Sequence, residues 1–350
     1  MGSARLARAG RLLLPLLSLY LFVLAILLMK EGAGAVAPLV VQLFRVERAL
    51  NALGFGWLFS YLVLSGSPVA AAALTFFDAG ALDQIQAFMM ISGSRLGAAF
   101  IVLLVGFLYT LQGHERRQSL AMGLLSLWVT ASVYLPGLVL GYFLLRYHLL
   151  DFVQFGPGAV LSSFLDLAFA PFTVPLSSAL PGGILFLLGL LLIALSLNLF
   201  DRSLPKIRLR ETRFAEIAHL IYRPVVMFLL GLAITTISPS VSVSLGILVP
   251  LSVRGYVQQE NVIPYIMGAN IATLSDTLLV AILLNNPPAV TVVVVDIVSV
   301  SVVSLALLIF SYRHYERMLL SLVNGILRSR AYLLAFILGA LVAPLGLLAL

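Results

Sequence analysis

The sequence predicts an all-α polytopic membrane protein made of two inverted repeats, each with a re-entrant helical hairpin and a broken transmembrane helix. Three observations lead there. Of the 350 residues, 61% are apolar and 10% charged, and mean hydropathy is strongly positive, which excludes a soluble domain. Several apolar runs reach the roughly 20 residues that cross a hydrocarbon core of about 30 Å. In lipid such runs must be helices, because only a helix satisfies every backbone donor and acceptor within one segment. Finally, interrupted apolar segments recur in matching order in the two halves. Ser65-Gly66-Ser67-Pro68 is followed 28 residues later by Gly93-Ser94-Arg95-Leu96-Gly97 (93 − 65), and Ser238-Pro239-Ser240-Val241-Ser242 is followed 30 residues later by Gly268-Ala269-Asn270 (268 − 238). Matched interruptions of this kind point to a binding site at the repeat interface.

Taken in order, residues 1–48 form a first helix over about 12–29 and an interfacial segment over 32–44 that holds Pro38. Arg5, Arg8 and Arg11 ahead of the apolar run resemble a signal peptide, but Leu12–Met29 is long for one, so a retained helix is expected. Repeat 1 spans 49–145: a hairpin with its tip at 65–68, a turn at Asp78-Ala79-Gly80, a broken helix over 81–112 and a span containing Pro136. Pro68 removes a backbone donor and Gly66 permits unusual dihedrals, which gives the tip a mechanism. Residues 146–213 read as a connector punctuated by Gly156-Pro157-Gly158, Pro171, Pro175 and Pro181-Gly182-Gly183, then one span and a basic loop. Repeat 2 spans 214–311: a hairpin with its tip at 238–242, a broken helix over 262–284, a loop at Asn285–Pro288 and a span containing Asp296. A C-terminal segment and a last span complete 312–350.

The net charge of +7 reflects topology rather than nucleic-acid binding, because the arginines sit at the ends of apolar runs. With the amino terminus placed in the cytoplasm, inside segments hold fifteen Lys/Arg and outside segments only Lys30, Arg45, Arg48 and Arg146. This bias fits a multi-pass protein of the cell inner (plasma) membrane. The same count makes the first hairpin enter from outside and the second from inside. The chain has no cysteine, so disulfide and thiol chemistry are excluded. The four histidines have no metal-ligand spacing, and no nucleophile–base pair near an interface points to an enzyme.

A helix broken at mid-membrane frees N–H groups that favour anions and carbonyls that suit a sodium ion. Ser65, Gly66, Ser67, Arg95, Ser238, Ser240 and Asn270 are therefore the candidate substrate-binding residues. Ser94, Ser242, Thr273, Ser275 and Asp276 are the candidate sodium ligands. The competing reading is packing, since small residues let membrane helices approach closely and Gly93–Gly97 is itself a G-x-x-x-G.

At these residues the chain resembles the type II sodium/phosphate cotransporter family, including its short prokaryotic members. That family carries a Q-S-S-S hairpin tip and a G-A-N-I-G-T-T-like helix break in each repeat. Here Leu64-Ser65-Gly66-Ser67 and Ile237-Ser238-Pro239-Ser240 stand at the tips, and Gly93-Ser94-Arg95-Leu96-Gly97-Ala98-Ala99 and Gly268-Ala269-Asn270-Ile271-Ala272-Thr273 at the breaks. Phe77-Asp78-Ala79-Gly80-Ala81-Leu82 resembles the family's F-V-N-A-G-L-L connector, and Leu28-Met29-Lys30-Glu31-Gly32 its first-helix ending. The glutamine is missing from both tips, Arg95 replaces an asparagine, and Ala98-Ala99 replace threonines. The resemblance implies sodium-coupled symport of inorganic phosphate or a similar oxyanion by alternating access, and a homodimer in the lipid bilayer.

Arg95 has three readings: a bidentate clamp on an oxyanion, a structural ion pair with Asp276 or Asp296, or a fixed charge in place of a sodium ion. Ionisable residues inside membrane spans are costly, so each of the three is expected in a polar cavity or a pair. Of the rivals to transport, a membrane assembly protein that kept the repeat fold is favoured by the alanines at the first break. Asn270, Thr273 and Arg95 favour transport.

Overall fold

The computed structural model describes residues 2–43, 46, 48–111, 116–156, 158–203, 223–238 and 258–350. Within them the chain is helical: α1 Gly2–Leu43, α2 Ala49–Val63, α3 Ser67–Asp78, α4 Gln84–Leu111, α5 Arg116–Arg146, α6 Gly158–Ala179 and α7 Gly182–Ser203. The series continues with α8 Pro224–Ile237, α9 Gln259–Ala272, α10 Leu274–Leu283, α11 Pro287–Phe310, α12 Tyr312–Leu327 and α13 Arg330–Ala349. Among the described residues, seven stretches are long and apolar enough to cross a bilayer: Leu13–Gln42, Gln84–Leu108, Ser119–Arg146, Gly182–Ser203, Gln259–Leu283, Pro287–Phe310 and Arg330–Ala349. The chain is thus an α-helical multi-pass membrane protein.

Polar contacts mark the two ends of the bundle. At one end Lys30 Nζ lies 3.4 Å from Asp78 Oδ2 and donates to the Leu284 carbonyl at 2.8 Å, while Asn286 donates to Asp78 at 2.8 Å. At the other, the Tyr312 hydroxyl donates to the Glu260 carbonyl at 2.9 Å. Helix α11 connects the ends, with Asn286 as its N-cap and Ser311 as its C-cap.

Glycines set the register of the main helix pairs. A Cβ on Gly56 would strike Met90, and one on Gly93 would strike the Leu53 carbonyl, so α2 lies against α4 backbone to backbone. Gly97 meets Trp57 and Ser60 in the same way, and the rising pairs 53–93 and 57–97 make α2 parallel to α4. The second half repeats this ladder: Gly231 meets Tyr265 and Gly268 meets Phe228. Both pairs are displaced by 175 positions (231 − 56 and 268 − 93), as are the first residues of α2 and α8 (224 − 49) and of α4 and α9 (259 − 84).

Residues 49–78 form two short helices rather than one span. Helix α2 ends on Leu64, whose φ of 54° turns the chain, and α3 runs to Asp78. Gly66 has φ −83°, so its role is not an unusual dihedral. A Cβ there would sit 2.8 Å from the Ser94 carbonyl and 3.0 Å from Ala98 Cβ, so glycine lets the tip reach α4. The turn at Asp78–Gly80 does use a left-handed glycine, Gly80 at φ 73°.

Several expectations are corrected. Helix α4 passes through Gly93–Gly97 without interruption, because these glycines serve the α2 contact rather than a break. The second interruption falls at Thr273, beyond Gly268–Asn270, and is slight: Thr273 keeps right-handed helical angles and its N–H bonds the Ala269 carbonyl. Neither point therefore presents an unwound backbone. Helix α1 does not stop near residue 29. Lys30 is satisfied sideways by Asp78 and Leu284, and Gly32 packs on Gly182 and Phe186 of α7, so one helix runs to Leu43 in place of an interfacial segment. The Pro-rich connector contains a single helix, α6, with Pro171 and Pro175 inside it. The basic loop beyond residue 203 and the second hairpin tip beyond Ser238 lie outside the described residues. Ser240 and Ser242 are among those left out.

Candidate functional site

Helical rise places the ionisable residues at one depth. Arg95 is eleven residues into α4 (95 − 84), Ser67 eleven before the end of α3 (78 − 67) and Asp296 ten beyond the N-cap of α11 (296 − 286). At 1.5 Å per residue each lies about 15–17 Å from the Lys30–Asp78–Asn286 end, half the thickness of a hydrocarbon core. Asp276 comes about 12 Å from the same end, counted back from Leu284. Arg95, Asp276 and Asp296 are 3%, 7% and 1% exposed.

The guanidinium of Arg95 joins the two halves of the chain. Its Nη2 donates to Asp276 Oδ1 at 3.2 Å and to the Thr277 hydroxyl, and its Nη1 reaches the Ser67 hydroxyl at 3.4 Å. Thr277 in turn donates to Asp276 Oδ1 at 3.0 Å. Asp276 sits in the first turn of α10, directly after the slight interruption at Thr273. Two atoms of this pair stay without partners among the described residues: Arg95 Nε and Asp276 Oδ2.

Beside Asp276 lies a cavity of about 210 Å³ with a mostly apolar wall that includes Leu19, Phe22, Leu197, Phe200 and Leu279, and in which Ser18 of α1, Ser196 of α7, Thr236 of α8 and Ser275 of α10 are the other polar residues. Ile237, the last residue of α8, also lines it. Contacts thus run from the first tip at Ser67 through Arg95 to Asp276, and Asp276 and Ile237 of α8 line one cavity.

Asn270 stands 175 positions after Arg95 (270 − 95) and likewise eleven residues into its helix (270 − 259). Its side chain pairs with the Thr130 hydroxyl at 3.2 Å, and its carbonyl accepts from Tyr134 at 3.1 Å and from Thr273 at 2.9 Å. Nearby, the Ser92 hydroxyl donates to Asp296 Oδ1 at 3.2 Å.

Of the sequence-derived candidates, Ser67, Gly66, Ser94, Arg95 and Asp276 come together around α4, and Ser275 joins through the cavity. Ser238 does not: its hydroxyl donates to Asp201 at 2.9 Å. Asn270 pairs with Thr130 and Tyr134 of α5 rather than with Arg95, and the Thr273 hydroxyl donates to the Asn270 carbonyl. Ser65 is half-buried at the tip. The hydroxyls of Ser94, Thr273 and Ser275 each donate to a carbonyl three residues back and keep lone pairs for a ligand. Sequence reasoning missed Ser92, Thr130, Tyr134 and Thr277. Ser92 lies one turn from Arg95 and Thr277 adjoins Asp276, a signal the sequence did hold. Of the two ion pairings open for Arg95, the structure has the one with Asp276.

No protein-family model, curated protein or solved structure matches this chain.

Proposed function

We propose that this protein is a secondary active transporter. It moves an oxyanion, inorganic phosphate by the resemblance, together with a cation through alternating access at Arg95. The observation that carries this reading is a buried guanidinium at half-membrane depth, shared between the first hairpin tip and the second half of the chain. Intramembrane charges of this kind mark substrate and ion pathways. Arginine offers a planar fork that matches an oxyanion, and here Nε is still unengaged.

The 175-residue offset supports inverted repeats. Helix α4 starts at the Asp78 end and α9 at the Glu260 end, while α2 and α8 run parallel to them. On this reading α2–α3 re-enters from one side and α8 from the other, with their tips near the Arg95–Asp276 pair. Sodium is the cation the resemblance implies, and Ser275 and Asp276 on the cavity wall are the ligands the described residues offer. A buried Arg95–Asp276 ion pair is also what a non-transporting assembly protein would keep, and uptake distinguishes the two.

The test is radiolabelled phosphate uptake into proteoliposomes, with and without an inward sodium gradient, for the wild type and Arg95→Gln. The wild type accumulates phosphate and R95Q falls to the level of empty liposomes. Absence of uptake by folded wild-type protein, or R95Q equal to wild type, overturns the reading.

A further inference from the structure

Charge accounting around Arg95 does not close with both acids ionised. Among the described residues the cluster holds one cation, Arg95, and two carboxylates, Asp276 and Asp296. The guanidinium bonds Asp276 directly. Asp296 keeps one contact, the Ser92 hydroxyl at 3.2 Å, and its Oδ2 is buried without a partner. Its neighbours along α11, Val292, Val293, Val295 and Val300, are fully buried, and the Ser299 hydroxyl is turned to the Val295 carbonyl. A carboxylate in such a shell neutralises rather than staying charged. A hard metal ion is a poor neutraliser here, since it takes about six oxygen ligands and Ser92 is the one side chain among the described residues that bonds the carboxylate.

We infer that Asp296 holds a proton in this conformation and is the proton-coupling carboxylate of the site. When an oxyanion displaces Asp276 from Arg95, Asp296 passes its proton to Asp276 and is reprotonated from the aqueous side to which the site is open; the proton on Asp276 leaves to water on the other side as the anion departs and the Arg95–Asp276 pair re-forms. The coupling role rests on the transport reading above, whereas the protonation itself does not. The groups facing Asp296 are Ser92 and Arg95 of α4 and Tyr134 of α5, with Asp276 of α10 across the cluster. The other charged groups on helices packed against α11 lie toward its ends. Asp78 of α3 is beside Asn286, Arg146 closes α5, and Glu260 of α9 meets α12, which carries Arg313, Glu316 and Arg317. When an oxyanion occupies Arg95, Asp276 loses its partner, and the cluster stays neutral only if a positive charge enters with the anion.

Infrared difference spectroscopy of the reconstituted protein, read against Asp296→Asn, tests the proton. A protonated carboxyl band is expected at neutral pH in the wild type and absent in D296N. Ser92→Ala should shift this band without removing it, which keeps the test valid if D296N misfolds. No band, a band that survives D296N, or a band untouched by S92A overturns the assignment. Phosphate uptake driven by an inward proton gradient tests the coupling: the wild type responds and D296N does not. Uptake that follows sodium and ignores the proton gradient, with the band in place, overturns the coupling role. The band without phosphate uptake of any kind overturns the transport reading and leaves the protonated Asp296 standing.

Discussion

The Arg95–Asp276 pair gives the sharpest test, because a structural brace and a substrate clamp respond differently to the same replacements. Arg95→Met leaves Asp276 buried without its cation, and Asp276→Leu leaves Arg95 with only Ser67 and Thr277 as direct partners. Removing one member of a buried pair costs about 3–5 kcal/mol, whereas replacing both by apolar residues of similar volume is often neutral. Asp276→Leu should fall at the low end, since Asp296 is near enough to compensate Arg95 electrostatically. The double variant also forfeits hydrogen bonds to Ser67 and Thr277, about 1 kcal/mol each. The coupling energy from the cycle should therefore be about 4–6 kcal/mol, above the usual range of about 0.5–3 kcal/mol for contacting residues. Equilibrium unfolding in mixed micelles, followed by fluorescence of Trp57 and Trp128, measures it. Costs that add to within about 0.5 kcal/mol would refute the pairing argument. Phosphate uptake then separates the roles: the stable double variant should remain inactive, and one that transports like the wild type would refute the clamp.

Other expectations follow from the same contacts. Gly56→Val and Gly231→Val each drive a side chain into a facing backbone and should cost about 1–3 kcal/mol or more in micelle unfolding; unequal effects would speak against their equivalence. Gly325→Ala, where a Cβ meets nothing within 4 Å, should instead gain up to about 1 kcal/mol in the same assay. Burial, and then Glu260 nearby, raise the pKa of the Glu316 carboxyl, so the folded state binds that proton better than the unfolded state. Its ionised form therefore destabilises at neutral pH, and the penalty fades as pH falls through the raised value. Glu316→Gln should flatten that slope and gain only a few tenths of a kcal/mol, because the side chain is mostly exposed and screened. Because the chain has no cysteine, single cysteines at Ala79 and Arg313 can be labelled without background, and they should react from opposite faces of the membrane.

How much of this was legible in the sequence depended on the kind of signal. The break between α2 and α3 was legible because Ser65–Pro68 interrupts an apolar run at half the length of a span. Arg95 stood out because a charge in such a run needs a partner. The continuity of α4 was not legible, since Gly93–Gly97 satisfies the pattern of a break and of a close helix contact equally, and only the opposing Leu53 and Trp57 decide. The continuity of α1 turned on contacts of Lys30 with Asp78 and Leu284, far away in sequence. Thr130 and Tyr134 looked like ordinary residues of an apolar span because their partner, Asn270, lies in the other half. The amphipathic α12, with Tyr315, Leu319 and Val323 buried and Arg313 and Arg317 outward, was hidden in a segment read only as a tail.

The same 175-residue offset that relates the glycine ladders fails where the charges sit. It carries Arg95 onto Asn270, and it carries Asp276 and Asp296 back onto Ile101 and Ala121 (276 − 175 and 296 − 175). Packing is repeated and charge is not: the cation belongs to the first half, both acids to the second, and the ion pair bridges them. On the transport reading, any rocking of one half against the other must stretch that bridge. Breaking a buried pair outright is costly, so the movement needs a substitute for each partner, an anion for Arg95 and a proton or metal cation for Asp276. A scaffold symmetric in its glycines but asymmetric in its charges would thus move readily when both ligands are bound, and poorly when only one is.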